Sequence, residues 1–145
     1  MANNYLQFSE RILTTPAQSE WLKAAWDAVG DNEADPKFVA IVDELFGDND
    51  TNLCVLSVRP EHVWLYSEES CDLDSVAELL QRFMKEFDIK DPICIHYAEW
   101  CSKLLVREFG GGVVVITPQK FVLWGTATLE EFARKEVERV EDHSG

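Results

Sequence analysis

Apolar residues recur along this chain in two rhythms, one near 3.6 residues and one near two, with polar and proline- or glycine-containing segments between them. Trp21, Leu22, Ala25, Trp26 and Val29 follow the first rhythm and stop at Gly30. Ahead of them Thr15 suits an N-cap, Pro16 the first helical position and Gln18 a capping box, so a helix is expected from Pro16 to Val29. Beyond the polar loop 31–36, Phe38, Val39, Ile41, Val42, Leu45 and Phe46 predict a second helix ending at Gly47, although so short and apolar a run also suits a strand. NLCVLSV (52–58) and HVWLYS (62–67) read as strands joined by a turn at Arg59-Pro60-Glu61, where proline presets the backbone.

The segment 75–87 places Val76, Leu79, Leu80, Phe83, Met84 and Phe87 on one stripe, an amphipathic helix capped by Asp72 or Asp74. Pro92 introduces ICIHYAEW, a further strand, and strands over 104–109 and 113–117 are expected to flank Gly110-Gly111-Gly112. Pro118 begins a turn into FVLW (121–124). Thr128 and Glu131 read as the capping box of a last helix, with Leu129, Phe132, Ala133, Val137 and Val140 at buried spacing and a fraying tail from Glu141 to Gly145.

These elements predict one α+β domain over residues 1–145: a helical part at 1–51, strands with one helix at 52–124, and a C-terminal helix at 128–140. The expected sheet is mainly antiparallel, with four to five strands packed against helices. Laying Pro60 over Pro118 aligns VLSVRPEHVWLY (55–66) with VVVITPQKFVLW (113–124), so a strand–strand–helix order is expected twice.

Composition adds that 145 residues, 46% of them apolar and including five Trp and eight Phe, suffice for a core without staples. No apolar run approaches the roughly 20 residues that cross a bilayer. MANNYLQFSERIL lacks a basic stretch followed by an apolar segment and a cleavage site, so a cytoplasmic location is expected, with Cys54, Cys71, Cys94 and Cys101 as free thiols. Cys54 and Cys94 lie in apolar runs and are expected to behave as small hydrophobes.

Charge changes the picture most. The chain carries a net −14, and residues 1–91 hold seven lysines and arginines against nineteen carboxylates, whereas 92–145 hold six against eight. No basic stripe is present, which disfavours direct nucleic-acid binding and anionic membranes and favours a basic protein partner. Asp27, Asp31, Glu33 and Asp35, then Asp43, Glu44, Asp48 and Asp50, then Glu68, Glu69, Asp72 and Asp74 flank element ends. Helix capping accounts for some of them but not for their number. A row of carboxylates on a stiff scaffold imitates phosphates toward a basic groove. The expected function is therefore a non-enzymatic acidic protein-binding module, a nucleic-acid-mimicking inhibitor of a nuclease or CRISPR-type effector.

Two other readings compete. Cys101, with His96 five residues upstream and Lys103 beside it, is a candidate thiol nucleophile. Alternatively, a self-assembling module would bury Trp100 and Trp124 across a symmetric interface. Ser102-Lys103 is a poor serine–lysine pair because adjacent strand residues point to opposite faces. The three glycines precede a strand rather than a helix, so they do not form a phosphate cradle; they supply positive φ in a hairpin or bulge, or let another backbone come close. The cysteines stand 17, 23 and 7 positions apart, and Asp48-x-Asp50-x-Asn52 opens like a calcium loop but continues with Leu53 and Arg59 where glycine and glutamate belong. No metal or cofactor is expected.

LYSEESCDLDSVAELLQRFM and HYAEWCSKLLVREFGGGVVVIT resemble a group of small acidic uncharacterised bacterial and phage or plasmid proteins. The shared features are Glu-Glu-Ser before a helix, Cys-Ser-Lys, and Glu-Phe-Gly-Gly-Gly before a strand, over about residues 62–118. The resemblance implies no activity and no catalytic residue. Its link to mobile elements implies an accessory or counter-defence role, of anti-CRISPR type.

Overall fold

The computed structural model describes residues 4–47, 51–101 and 110–144. In chain order the elements are β1 (Asn4–Leu13), α1 (Pro16–Ala28), α2 (Pro36–Phe46), β2 (Val55–Val58), β3 (His62–Ser67), α3 (Leu73–Glu86), β4 (Ile93–Cys101), β5 (Gly110–Ile116), β6 (Phe121–Gly125) and α4 (Thr126–Ser144). The strands form one antiparallel sheet in the order β2-β3-β1-β4-β5-β6. The α+β class and the antiparallel pairing are as expected; the strand count is six rather than four to five.

The extra strand is β1, in a part of the chain expected to be helical. It lies in the middle of the sheet and divides its pairing: Asn4–Gln7 pair with Ala98–Cys101 of β4, while Phe8–Leu13 pair with His62–Ser67 of β3. Leu6, Phe8 and Ile12 alternate toward the helices, as a half-buried strand requires. Glu10 interrupts that alternation. Its carboxylate accepts from the His96 backbone N–H at 3.1 Å, beyond the last β1–β4 pair, and so occupies a donor that no ladder bond takes up.

Local chemistry fixes the helix starts. Thr15 and Gln18 make the reciprocal capping box of α1, at 3.2 and 2.9 Å. Asp35 caps α2 through the Lys37 N–H, and Asp72 caps α3 through Ser75. The ambiguous run at 38–46 is thus a helix, started by its aspartate and Pro36. α1, α2 and α3 share one side of the sheet and close the core there: Leu22, Val63, Leu65, Leu79, Leu80, Phe83, Ile95 and Ile116 are all inaccessible to solvent. Each such side chain contributes about 1.5–3 kcal/mol by leaving water. Trp21 locks the helices together by meeting the edge of Phe38 at 5.4 Å and Phe83 at 5.8 Å.

Two expectations about the second half are corrected. Gly110–Gly112 lie inside β5 and not in a turn between strands; the segment 104–109 falls outside the described residues. Among the described glycines positive φ occurs only at Gly30 and Gly47, so the triple glycine serves close approach: a methyl on Gly111 would stand 2.6 Å from the Tyr97 carbonyl oxygen. The strand–strand–helix order does occur twice, as β2-β3-α3 and β5-β6-α4. However, α4 is not a buried helix. It begins at Thr126, so Thr128 does not cap it, and its backbone stays helical to Ser144 where fraying was expected. Leu129, Phe132 and Val137 are each about half exposed. Helical spacing made a sticky stripe, but burial needs a facing surface. Trp124, 5.3 Å from Phe132, is the one aromatic ring that meets it among the described residues.

Candidate functional site

Of the twelve carboxylates singled out by sequence, Asp48 and Asp50 fall outside the described residues, and the other ten are all exposed. Asp27 pairs with Lys23 at 3.0 Å on α1. Asp31 accepts from the Glu33 N–H in the α1–α2 connection, and Asp35 caps α2. Asp43 and Glu44 stand near the end of α2, where the Arg82 guanidinium at 3.0 Å holds the Glu44 carboxyl below its usual range. Glu68 and Glu69 lie in the β3–α3 connection, whose backbone carbonyls accept from Gln7 and Leu6 of β1. Asp72 and Asp74 open α3.

The segment that leads into β2 is held against the start of α3. The Asp72 N–H donates to the Asn52 carbonyl at 2.7 Å, and the Asn52 side-chain amide donates to Ser70. Sequence reading missed Glu78, one turn further on. Partial burial, then the charges of Asp74 and Asp72, push its carboxyl above its usual range, which marks a cluster of like charges at that end of the helix.

The opposite face of the sheet has another chemistry. Register places Val55 and Ser57 (β2), His62, Trp64 and Tyr66 (β3), and Tyr5, Gln7, Ser9, Arg11 and Leu13 (β1) on it. Cys94, His96, Ala98 and Trp100 (β4), Gly111, Val113 and Val115 (β5), and Val122 and Trp124 (β6) complete it. None of these positions is Asp or Glu. Cross-strand bonds hold its aromatic rings in place: Trp64 Nε1 donates to Ser9 Oγ at 2.7 Å, and Trp100 Nε1 donates to Gln7 Oε1 at 2.9 Å while its ring stacks on Tyr5 at 4.2 Å. Cys94 belongs to this face and is exposed, correcting its reading as a buried hydrophobe: the period of two sets it beside Val115, outside the core. Cys54 is buried as expected, and burial pushes its thiol far up; Cys71 is half-buried and raised to about 11. His96 is also exposed, with Nδ1 3.5 Å from Glu10. The side chains of its proposed partner Cys101, and of Ser102 and Lys103, lie outside the described residues.

A cleft of about 760 Å³ opens at the end of the sheet where β1 begins and β4 and β6 end, between the β3–α3 connection and the first turn of α4. Leu6, Tyr97 and Leu123 line it together with Glu69, Glu99 and Glu130 and the stacked Tyr5 and Trp100. Sequence did not single out Tyr97 or Glu99; their strand alternation with His96 was the available signal. Tyr97 is only 9% exposed, and its hydroxyl, beside Gly112 and Gly125, makes no hydrogen bond with the described residues. Burial and then the Glu99 charge raise its phenol above the usual range.

Among the described residues no group of three or more His, Cys, Asp or Glu is placed to hold a metal ion, and no helix is long and apolar enough to cross a membrane. Comparison with protein-family models, with curated proteins and with solved structures finds no match to this chain.

Proposed function

We propose that the chain is a non-enzymatic binding module whose acidic helical layer docks into the basic groove of a nucleic-acid-processing protein, a nuclease or CRISPR-type effector, in the place of phosphates. The role this gives it is inhibition, of counter-defence type. Segregation of charge is the observation that carries the reading. Ten exposed carboxylates stand on the helical layer and its connections, two of them paired with a cation, while no strand position on the far sheet face is acidic. Five of them are held by their own bonds: Asp35 and Asp72 as caps, Asp31 by the Glu33 N–H, and Asp27 and Glu44 by ion pairs. From Asp35 to Glu44 the charges span about 14 Å of helix axis, and a preorganised row loses less freedom on docking than a flexible acidic tail.

The test is capture on the immobilised chain. Basic proteins retained at low salt are expected to elute by about 0.5 M salt, since exposed pairs are screened within a Debye length. The triple variant Asp31→Asn, Glu33→Gln, Asp43→Asn, which spares the caps at Asp35 and Asp72, is expected to fold normally and lose capture. Retained proteins that are not basic, or retention indifferent to salt, refutes the reading.

A second reading, self-association, is favoured by the uncovered apolar groups Leu13, Trp64, Trp124 and Phe132. Two copies with a net −14 each repel least across a sheet face whose strand positions carry no carboxylate. Sedimentation that shows a monomer at high concentration dismisses it.

A further inference from the structure

The cleft at the end of the sheet has a defined chemistry. Its charged side chains on the sheet and the β3–α3 connection, Glu69 and Glu99, are both negative, and neither has an ion-pair partner among the described residues. The first turn of α4 also faces the space through Thr126 and Ala127. That helix end carries about half a positive charge, which Glu69 and Glu99 outweigh, and the lining Glu130 pairs with Arg134 at 2.9 Å, so the lining favours a cation over an anion. Tyr97 adds an independent observation. The residue is nine-tenths buried, its hydroxyl makes no hydrogen bond with the described residues, and two glycines leave room beside it: methyls on Gly112 and Gly125 would stand 2.7 and 3.3 Å from that oxygen. Leu6 and Leu123 offer hydrocarbon to a stem.

We propose that this cleft binds an organic cation, an ammonium or guanidinium group on a hydrocarbon stem, with Tyr97 accepting a hydrogen bond from it and Glu69 and Glu99 supplying the countercharge. The inference rests on the basic-partner reading for the source of the group, a lysine or arginine side chain of the docked protein; a free polyamine presents the same head group. Burial keeps the phenol protonated and neutral through the physiological range, and the neutral oxygen retains a lone pair for the ligand.

The experiment is an amide and indole chemical-shift titration of the full chain with N-acetyl-lysine methylamide, N-acetyl-arginine methylamide and spermidine, against the uncharged N-acetyl-norleucine methylamide. Saturable shifts at Trp100 Nε1–H, Gly110 and Gly125 are expected with the charged probes, none with norleucine, and at least tenfold weaker binding in Tyr97→Phe and in Glu99→Gln. Tighter binding of the amino-acid probes points to a protein side chain; tighter binding of spermidine points to a free polyamine. Cleft resonances that stay still at saturating probe, or variants that bind like the parent chain, overturn the proposal. Salt-sensitive capture of basic proteins with a silent cleft removes this inference alone. A responsive cleft without such capture supports the cation site and removes the docking reading.

Discussion

Tyr97 of β4 and Gly112 of β5 are register partners, and a methyl on Gly112 would stand 2.7 Å from the Tyr97 hydroxyl as well as colliding with the Trp124 carbonyl oxygen. Gly112→Ala therefore forces strand backbone apart and is expected to cost about 2–3 kcal/mol in urea unfolding. Gly125→Ala, whose methyl would lie 3.3 Å from the same hydroxyl, is expected to cost less than about 1 kcal/mol. Tyr97→Phe removes a hydroxyl without a partner and is expected to leave stability within about 0.5 kcal/mol of the parent. A large loss there would mean that the hydroxyl is satisfied within the fold, and the cation site would lose its acceptor.

Glu10 closes the gap where β1 turns its pairing from β4 to β3, through the His96 N–H. Glu10→Ala leaves that donor without its acceptor, at a cost of about 1–3 kcal/mol. Hydrogen exchange at the His96 amide is expected to accelerate while the Ile95 amide keeps its protection. Unchanged exchange at His96 contradicts the bridging role.

Glu78 gives a pH dependence with a definite sign. Its folded-state affinity for a proton is raised above the ordinary value of 4.5 by burial and by Asp74 and Asp72. The folded chain then holds more protons than the unfolded one just above that value, so this group's contribution improves as the pH falls toward 4.5 and is unfavourable at neutrality. Glu78→Gln is expected to raise the unfolding midpoint at pH 7, with the gain shrinking on acidification below 4.5. An equal gain at both pH values contradicts the like-charge cluster.

The thiols of Cys54, Cys71 and Cys94 are expected to label in order of exposure. Iodoacetamide at pH 8 reaches the exposed Cys94 first. Cys71, raised to about 11, holds only about 0.1% thiolate at that pH and reacts slowly, and Cys54 waits for unfolding. Because the folded Cys71 keeps its proton above its ordinary value near 9, its contribution to stability is full below that pH and is lost as the pH rises toward 11. Fast labelling of Cys54 in the folded chain contradicts the packing at the entry to β2.

Much of the fold was legible because its signals are local. The Thr15 box, the stripe from Val76 to Phe83 and the Pro60 turn each satisfy their own backbone groups with neighbours in sequence. β1 was not legible, since Glu10 sits on the core side of its alternation and is explained only by His96, 86 residues away. α4 shows the converse: its apolar spacing is real, yet periodicity does not say whether a surface exists to cover it. The acidic groups were visible as a count, whereas the carboxylate-free sheet face needed the register of six strands. Tyr97 and Glu99 were invisible as a site because the cleft is assembled from β1, β4, β6, α4 and the β3–α3 connection.

Competition with nucleic acid tests phosphate mimicry most directly. Fluorescence anisotropy of labelled duplex DNA, bound to a basic protein that the chain captures, is expected to fall to the free-DNA value as the chain is added, and the triple variant Asp31→Asn, Glu33→Gln, Asp43→Asn is expected to displace at least tenfold less effectively. A ternary complex, in which DNA stays bound while the chain saturates the same protein, contradicts the account.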